Sequence, residues 1–257
     1  MTDDATTTGS LAIGVDIGGT GIKGAVVDLG TGELVTERIK VRTPKGGRPA
    51  DIVEATAQLL SILAGQGHTA LPLGVCFPAI VKHGRTLSAA NVSDEWIGLE
   101  AEQLFERELG SPIHFINDAD AAGYAESQFG AARGARGLAI LTTLGTGIGS
   151  AFVYDGVLVP NTELGHLEVD GHDAEDRAAY SAMERDELSW KEWAARLQRY
   201  YSHVEFLFSP DLFIVGGGVS KHHEQFLPLL SLNTPIVPAA FRNNAGLLGA
   251  AALAARF

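Results

Sequence analysis

Cysteine is almost absent. The one thiol, Cys76, sits inside the apolar run LGVCFP. A single cysteine excludes an internal disulfide and any zinc site built on several thiolates, and its apolar setting reads as a buried structural thiol. No apolar run reaches the roughly 18 residues of a membrane-spanning helix. The first ten residues, MTDDATTTGS, have neither the basic start nor the apolar centre of a secretory signal, and they read as a frayed tail over 1–10. Positive charge is scarce: 19 Lys and Arg face 31 Asp and Glu, a formal net charge of −12. Such a chain has no general positive field for duplex nucleic acid. An anionic ligand would need a local site of aimed N–H groups, a few cations or a metal ion. These absences point to a cytoplasmic protein with no membrane and no nucleic-acid partner. With 257 residues, 46% of them hydrophobic, the chain can bury one large core or two medium ones.

What the chain has in quantity is glycine, and part of it recurs in a pattern. LAIGVDIGGTGIKGAVVDLG runs from Leu11 to Gly30, and LAILTTLGTGIGSAFVYDG from Leu138 to Gly156. Both begin Leu-Ala-Ile, both contain Gly-Thr-Gly-Ile, and both end in Asp before a Gly; the second is one residue shorter in its turn. Each reads as a strand–turn–strand hairpin opening one half of the molecule. In the first half, ELVTERIKVRT then reads as a strand, 46–67 and 98–110 as helices, and LPLGVCFPAIV and PIHFIND as buried strands. In the second, 189–210 reads as a long helix, DLFIVGGGVS as a buried strand, 223–232 as a short helix and the small-residue stretch closing the chain as a helix. The expected organisation is an α/β protein of two domains. A small one over 11–117 would be joined by the closing helix 244–257, and a larger one would span 118–243.

The first turn, Gly19-Thr-Gly21-Ile-Lys-Gly24, matches the GxGxxG dinucleotide fingerprint. That fingerprint requires a helix after the glycines, and AVVDLG reads as a strand. The protein-kinase loop of the same pattern lacks its partner motifs, and no GxxxxGK[ST] loop occurs. Two readings of the hairpins remain. They are ordinary tight turns in which glycine supplies positive φ, or they cradle phosphate. In the second reading bare N–H groups converge on an anion at Gly18, Gly19, Gly145 and Gly147, and Thr20, Thr143 and Thr146 add hydroxyls. Lys23 adds a charge, and Asp16 could hold Mg²⁺ directly or through water. Two near-copies, one with Asp and Lys and one with Thr, favour a clamp on a phosphate chain. Asp118, at the polar end of PIHFIND, suits a general base or a helix cap. NTELGHLEVDGHDAED offers Glu163, His166, Glu168, Asp170, His172 and Asp173, a set suited to sugar hydroxyls or to a solvated acidic loop. TPKGGRP, with Lys45 and Arg48, is a plain surface loop or a guide for a polyanion.

Taken together and in order, these stretches resemble the ROK sugar kinases of the actin-like ATPase superfamily, over nearly the whole chain. VDIGGTGIKGAV and LTTLGTGIGSA are similar to the family's two phosphate motifs, LFIVGGGVS to its nucleotide-side glycine motif, FINDADAAGYAE to its catalytic segment and ELGH to its sugar motif. TLGTGIGSA and ELGHLEVDGHDAED point to the members that use inorganic polyphosphate. The resemblance implies a two-domain fold with a cleft and transfer of a phosphoryl group from polyphosphate, ATP or both to the 6-hydroxyl of glucose, with mannose as a further acceptor. It implies Asp118 as base; Asn91, Asn117, Glu163, His166 and Glu168 on the sugar; and Asp16, Gly18, Gly19, Thr20, Lys23, Thr143, Gly145, Thr146 and Gly147 on the phosphates. Gly216, Gly217 and Gly218 would lie by a nucleotide, Mg²⁺ near Asp16, and a homodimer is a possible assembly. The chain departs from the family's usual Cys-rich zinc motif, so no zinc is expected. Other readings are a kinase for another hexose or an N-acetylated amino sugar, and a sugar-sensing regulator. The regulator would need a DNA-binding domain ahead of the first hairpin, for which the expected start at Leu11 leaves no room.

Overall fold

The structure, a computed structural model, describes residues 10–256; apart from Ser10, the expected tail over 1–10 lies outside the described residues. The first hairpin joins β1 (Leu11–Ile17) to β2 (Ile22–Asp28), antiparallel from Leu11↔Asp28 to Ile17↔Ile22. The second joins β9 (Leu138–Leu144) to β10 (Ile148–Tyr154) with the same pairing, Leu144↔Ile148 closing a loop one residue shorter. Each hairpin is the start of a sheet of one common plan. The first sheet runs β3 (Glu33–Leu34), β2, β1, β5 (Leu73–Phe77), β8 (His114–Asn117), with β4 (Ile39–Val41) also on β2. The second runs β11 (Val157–Val159), β10, β9, β14 (Leu212–Gly216), β15 (Ile236–Pro238). In both, the last two strands are parallel to the first strand of the hairpin. Two short hairpins, β6 (Val81–Lys82) with β7 (Arg85–Thr86) and β12 (Glu168–Val169) with β13 (His172–Asp173), stand apart from the sheets.

Two helices fill the space between the sheets. α3 (Asp118–Gln128) packs on β9 and β10, and α7 (Ala245–Ala254) packs on β1 and β5 and against α3. The closeness of this sandwich explains why its residues are so small. A Cβ on Gly14 would stand 2.0 Å from the Leu247 carbonyl oxygen, one on Gly74 1.9 Å from that of Ala250, and one on Gly249 1.7 Å from that of Ala121. On the outer faces, α1 (Pro49–Gly65) covers the first sheet and buries Ile52, Leu59 and Leu63 beside an aromatic cluster of Phe77, Trp96, Phe105 and Phe115. α2 (Ala101–Leu109) ends on Gly110 in the left-handed region, as a helix terminus prefers. α6 (Trp190–Phe208), opened by a capping box of Ser189 and Glu192, buries Trp193, Tyr200 and Tyr201 against the second sheet. Between them lie the short helices α4 (Ala174–Ala178) and α5 (Tyr180–Arg185).

Three expected elements differ. ELVTERIKVRT is two short strands, because the Thr36 hydroxyl accepts the Val26 N–H and interrupts the ladder. The stretch 223–232 forms no α-helix; 3₁₀ turns at Gly218–Gln225 and Leu227–Leu229 replace it around Pro228. Within NTELGHLEVDGHDAED, the acidic stretch is not a plain loop: it folds as a 3₁₀ turn at Leu164–His166, the β12–β13 hairpin and the start of α4.

Candidate active site

A cavity of about 650 Å³ opens where the two halves meet. Its lining comes from the ends of strands and from the turns that follow them. The first half contributes Pro78–Ile80, Ser88–Asn91 and Asn117; the second contributes Asp118, Ala119, Thr143, Gly145–Ser150, Glu163, His166, Glu175 and Gly217. A second hollow of about 290 Å³ lies among Arg177, Arg196 and Arg199. There Arg199 is paired with Asp170 and Arg196 with Asp186, so most of its charge is already matched.

At the floor of the cavity, β8 passes into α3. Asn117 is the N-cap: its side-chain oxygen accepts the N–H groups of Ala119 and Asp120, while its amide donates to the Ala79 carbonyl. Capping therefore falls mainly to Asn117, and Asp118 at the first helical position lines the cavity with one carboxylate oxygen accepting the Ala119 N–H. Its carboxyl is pushed up to about 7, first by burial and then by the negative charge of Asp16, against the Ala119 N–H that favours the anion. A helix N-terminus stabilises an anion by up to about 2 kcal/mol in a partly buried site, and removal from water outweighs it here. A carboxylate poised there accepts a proton near neutral pH.

The two glycine turns do not use left-handed backbone: none of Gly18, Gly19, Gly21, Gly145, Gly147 and Gly149 has a positive φ. Their glycines provide room. Nothing stands within 4 Å of where a Gly145 Cβ would be, so that backbone is open to the cavity. Gly147 leaves space for the Glu175 carboxylate, which accepts the Ile148 N–H. Ser181 takes the carbonyls of Gly145 and Thr146 through its N–H and hydroxyl, and the Gly145 N–H donates to the Gly147 carbonyl, so the N–H groups of this turn left for a ligand are those of Thr146 and Gly147. Gly19 of the first turn abuts Asn91, itself in the left-handed region at φ 60°. Asp16 accepts from Lys23 at 2.8 Å below that turn.

On the opposite wall, burial raises the Glu163 carboxyl and His166 opposes the rise. His166 is itself raised, chiefly by the hydrogen bond from its Nδ1 side to Asp173 at 3.0 Å. Glu163 is held in height by Asn161, two residues before it. The Asn161 side chain pairs with both backbone groups of Val81 in the first half, and its N–H donates to the buried Asp120. Asp120 is fully buried, its second oxygen has no partner, and its carboxyl is pushed up to about 7, first by burial. A raised acid is stabilising while protonated and loses that contribution as pH rises from its unfolded value near 4 through about 7. Asp120→Asn keeps an acceptor for Asn161 and removes the buried charge. It is expected to stabilise the protein at pH 8 by on the order of 2 kcal/mol and to flatten the fall in melting temperature between pH 5 and pH 8; an unchanged pH dependence would contradict this assignment.

The structure thus gathers Asn91, Asn117, Asp118, Thr143, Gly145, Thr146, Gly147, Glu163, His166 and Gly217 around one cavity. Asp16 on β1, Gly18, Gly19 and Thr20 on the first turn and Lys23 on β2 do not line it, although Gly19 abuts Asn91, and Gly216 and Gly218 flank Gly217 without lining it. Glu168 requires correction: on β12 it is exposed and does not line the cavity, because the hairpin turns it outward. Glu175, one turn into the polar stretch beyond that hairpin, occupies the wall instead. Glu175, Ser181 and Asn161 were not singled out from the sequence. Only Glu175 had a visible signal, as a further carboxylate in the dense polar run. Among the described residues no cluster of three or more His, Cys, Asp or Glu could hold a metal ion, and no helix is long and apolar enough to cross a membrane.

Residues 12–179 match the ROK family model. The chain is 46% identical over 246 residues to a polyphosphate glucokinase of Mycobacterium tuberculosis, covering 95% of this chain and 91% of that protein. It is 54% identical to the inorganic polyphosphate/ATP-glucomannokinase of Arthrobacter sp. strain KM, with a TM-score of 0.90 over 96% of this chain and 99% of that one. A ROK family glucokinase of Streptomyces griseus, solved with glucose and AMPPNP, is 26% identical with a TM-score of 0.80 over 96% and 100% of the two chains. The duplicated sheets are those of the actin-like ATPase fold. The chain belongs to the ROK family.

Proposed function

We propose that the protein is a hexokinase that transfers a phosphoryl group from inorganic polyphosphate or ATP to the 6-hydroxyl of glucose. The observation that carries this reading is the pairing, in one cavity, of a carboxylate raised to about 7 with a glycine turn whose backbone is open. The likeness to polyphosphate glucokinases over nearly the whole chain supports the choice of donor and acceptor.

In this reading the sugar lies against Asn91, Asn117, Glu163 and His166, with Glu175 in the role expected of Glu168. Asp118 accepts the proton of the 6-hydroxyl as that oxygen attacks the terminal phosphorus, and the shortened phosphate chain leaves. The turns at Gly18–Gly21 and Gly145–Gly147 hold the donor. Asp16 fits a Mg²⁺ held through water: it is one half-buried carboxylate already beside a lysine, and Mg²⁺ keeps several waters and takes its other ligands from phosphate. When bound, the ion would offset the charge of the transferring group. Gly216–Gly218 is the place for the base of ATP. Movement of 11–117, with the closing helix, against 118–243 would shut the cavity and exclude water. Mannose is a second acceptor in this proposal, and the cytoplasm is the compartment. A homodimer would use the outer edge of β11, where Val157 and Val159 are exposed.

Gly145→Val tests the donor side. Its side chain has open space within the fold but projects toward the phosphates, so donor KM is expected to rise about tenfold or more with sugar affinity by calorimetry unchanged. Lost sugar affinity with a normal donor KM would contradict the placement. The acid limb gives a second test. kcat/KM for glucose should fall as pH drops below about 7, because protonated Asp118 cannot accept the proton; a flat profile down to pH 5 would remove Asp118 as the base.

A further inference from the structure

Beside the proposed donor site stand cations that the mechanism does not use, Lys40 foremost among them. Asp16, Lys23 and Lys40 are consecutive cross-strand partners on β1, β2 and β4, Asp16↔Lys23 and Lys23↔Lys40. Directly opposed residues share a face of the sheet, so all three side chains stand on the face that carries Asp16 to the cleft. Lys23 is taken by Asp16 at 2.8 Å. No carboxylate among the described residues pairs with Lys40, and its side chain is exposed. Its stem runs over the first glycine turn: a Cβ on Gly21 would stand 2.7 Å from Lys40 Cε. Just beyond β4 the Thr43 hydroxyl donates to the Gly18 carbonyl, which ties this strand to the turn. The chain then passes Lys45 and reaches Gly47, packed against Val92 and Ser93 next to Asn91 at the mouth of the cavity. Arg48 is partnered by Glu95 at 3.4 Å, whereas Lys45 is exposed.

We propose that Lys40, continued by Lys45, is a binding track for the distal phosphates of a polyphosphate chain whose reacting end lies between the two glycine turns. The inference rests on the polyphosphate half of the proposed function. The chemistry separates the two donors. ATP carries a base, which directs its tail toward Gly217 on the second half. Polyphosphate has only charge, and in a chain of net charge −12 it needs cations wherever it runs. An ammonium is a compact point charge on a flexible stem, suited to a ligand that slides rather than one that docks in a single pose.

The test is steady-state kinetics of the full chain with long-chain polyphosphate, hexaphosphate and ATP, for wild type, Lys40→Ala, Lys40→Arg and Lys45→Ala. Lys40→Ala is expected to raise the KM for long-chain polyphosphate about tenfold and to lower the polyphosphate-to-ATP ratio of kcat/KM by a similar factor. Lys45→Ala should do the same more weakly, and Lys40→Arg should restore most of the loss. The salt dependence of the polyphosphate KM should become shallower in Lys40→Ala, while the sugar KM and the melting temperature stay at wild-type values. Equal losses with ATP and polyphosphate, an unchanged polyphosphate KM, or no rescue by arginine would overturn the inference. Wild-type protein that uses polyphosphate with Lys40→Ala unaffected overturns this inference alone; wild-type protein that uses ATP and never polyphosphate overturns it together with the donor assignment.

Discussion

Asp118→Asn is expected to lower kcat about a thousandfold while sugar affinity stays within a few-fold of wild type. The amide keeps the shape of the side chain and an oxygen to accept the Ala119 N–H, a bond of 2.8 Å in the wild type. It removes the one property the mechanism needs, a basic oxygen at the cavity floor. The capping of α3 belongs to Asn117 and survives the change. A loss of kcat without a loss of sugar binding separates proton acceptance from sugar positioning. Calorimetry with glucose and initial rates with either donor give both numbers. A variant within about tenfold of wild-type turnover would remove Asp118 from the chemistry, since general-base catalysis contributes at least that much.

The second large effect concerns the fold. Gly249→Ala is expected to destabilise the protein by about 3 kcal/mol, although alanine favours a helix interior over glycine by about 1 kcal/mol. The added Cβ would stand 1.7 Å from the Ala121 carbonyl oxygen and 2.5 Å from its carbon. Those atoms are backbone of α3 and cannot rotate away. Relief requires α7 to lift from α3, and α7 is pinned on its other side by the close approach of β1 and β5 at Gly14 and Gly74. Gly65→Ala is the matched control: it ends α1 with nothing within 4 Å of the new atom and should be neutral or slightly stabilising. Denaturant unfolding of the three proteins measures the difference. A Gly249→Ala protein as stable as wild type would mean that the two central helices are not locked together.

The same contrast, local pattern against long-range placement, decides what the sequence revealed. The hairpins were legible because alternation and glycine turns are local, and the one-residue difference between them survives intact as four-residue and three-residue loops. The closing helix was legible as a run of small residues, although the reason for their size, two sheets pressing on two helices, lies in contacts far apart in sequence. Placing Glu168 in the cavity failed because a two-stranded hairpin presents alternate residues to opposite sides, and no local signal told which side faced the cleft. Glu175 gains its place from α4, a helix of one turn too short to show a period. Asn161 and Ser181 act through backbone partners in remote segments, Val81 and the turn at Gly145–Thr146. Such bonds leave no mark on the sequence. The alternative reading of the two hairpins, tight turns in which glycine supplies positive φ, does not describe them, because these longer loops close without it.

The most direct measurement of the central claim is phosphorus NMR of a reaction holding the purified protein, Mg²⁺, glucose and long-chain polyphosphate as the only phosphoryl donor, run beside a second reaction in which ATP replaces polyphosphate. The account predicts a growing glucose 6-phosphate resonance in both, with the Asp118→Asn protein silent on the same timescale. Folded protein that binds glucose and forms no 6-phosphate from either donor would contradict it.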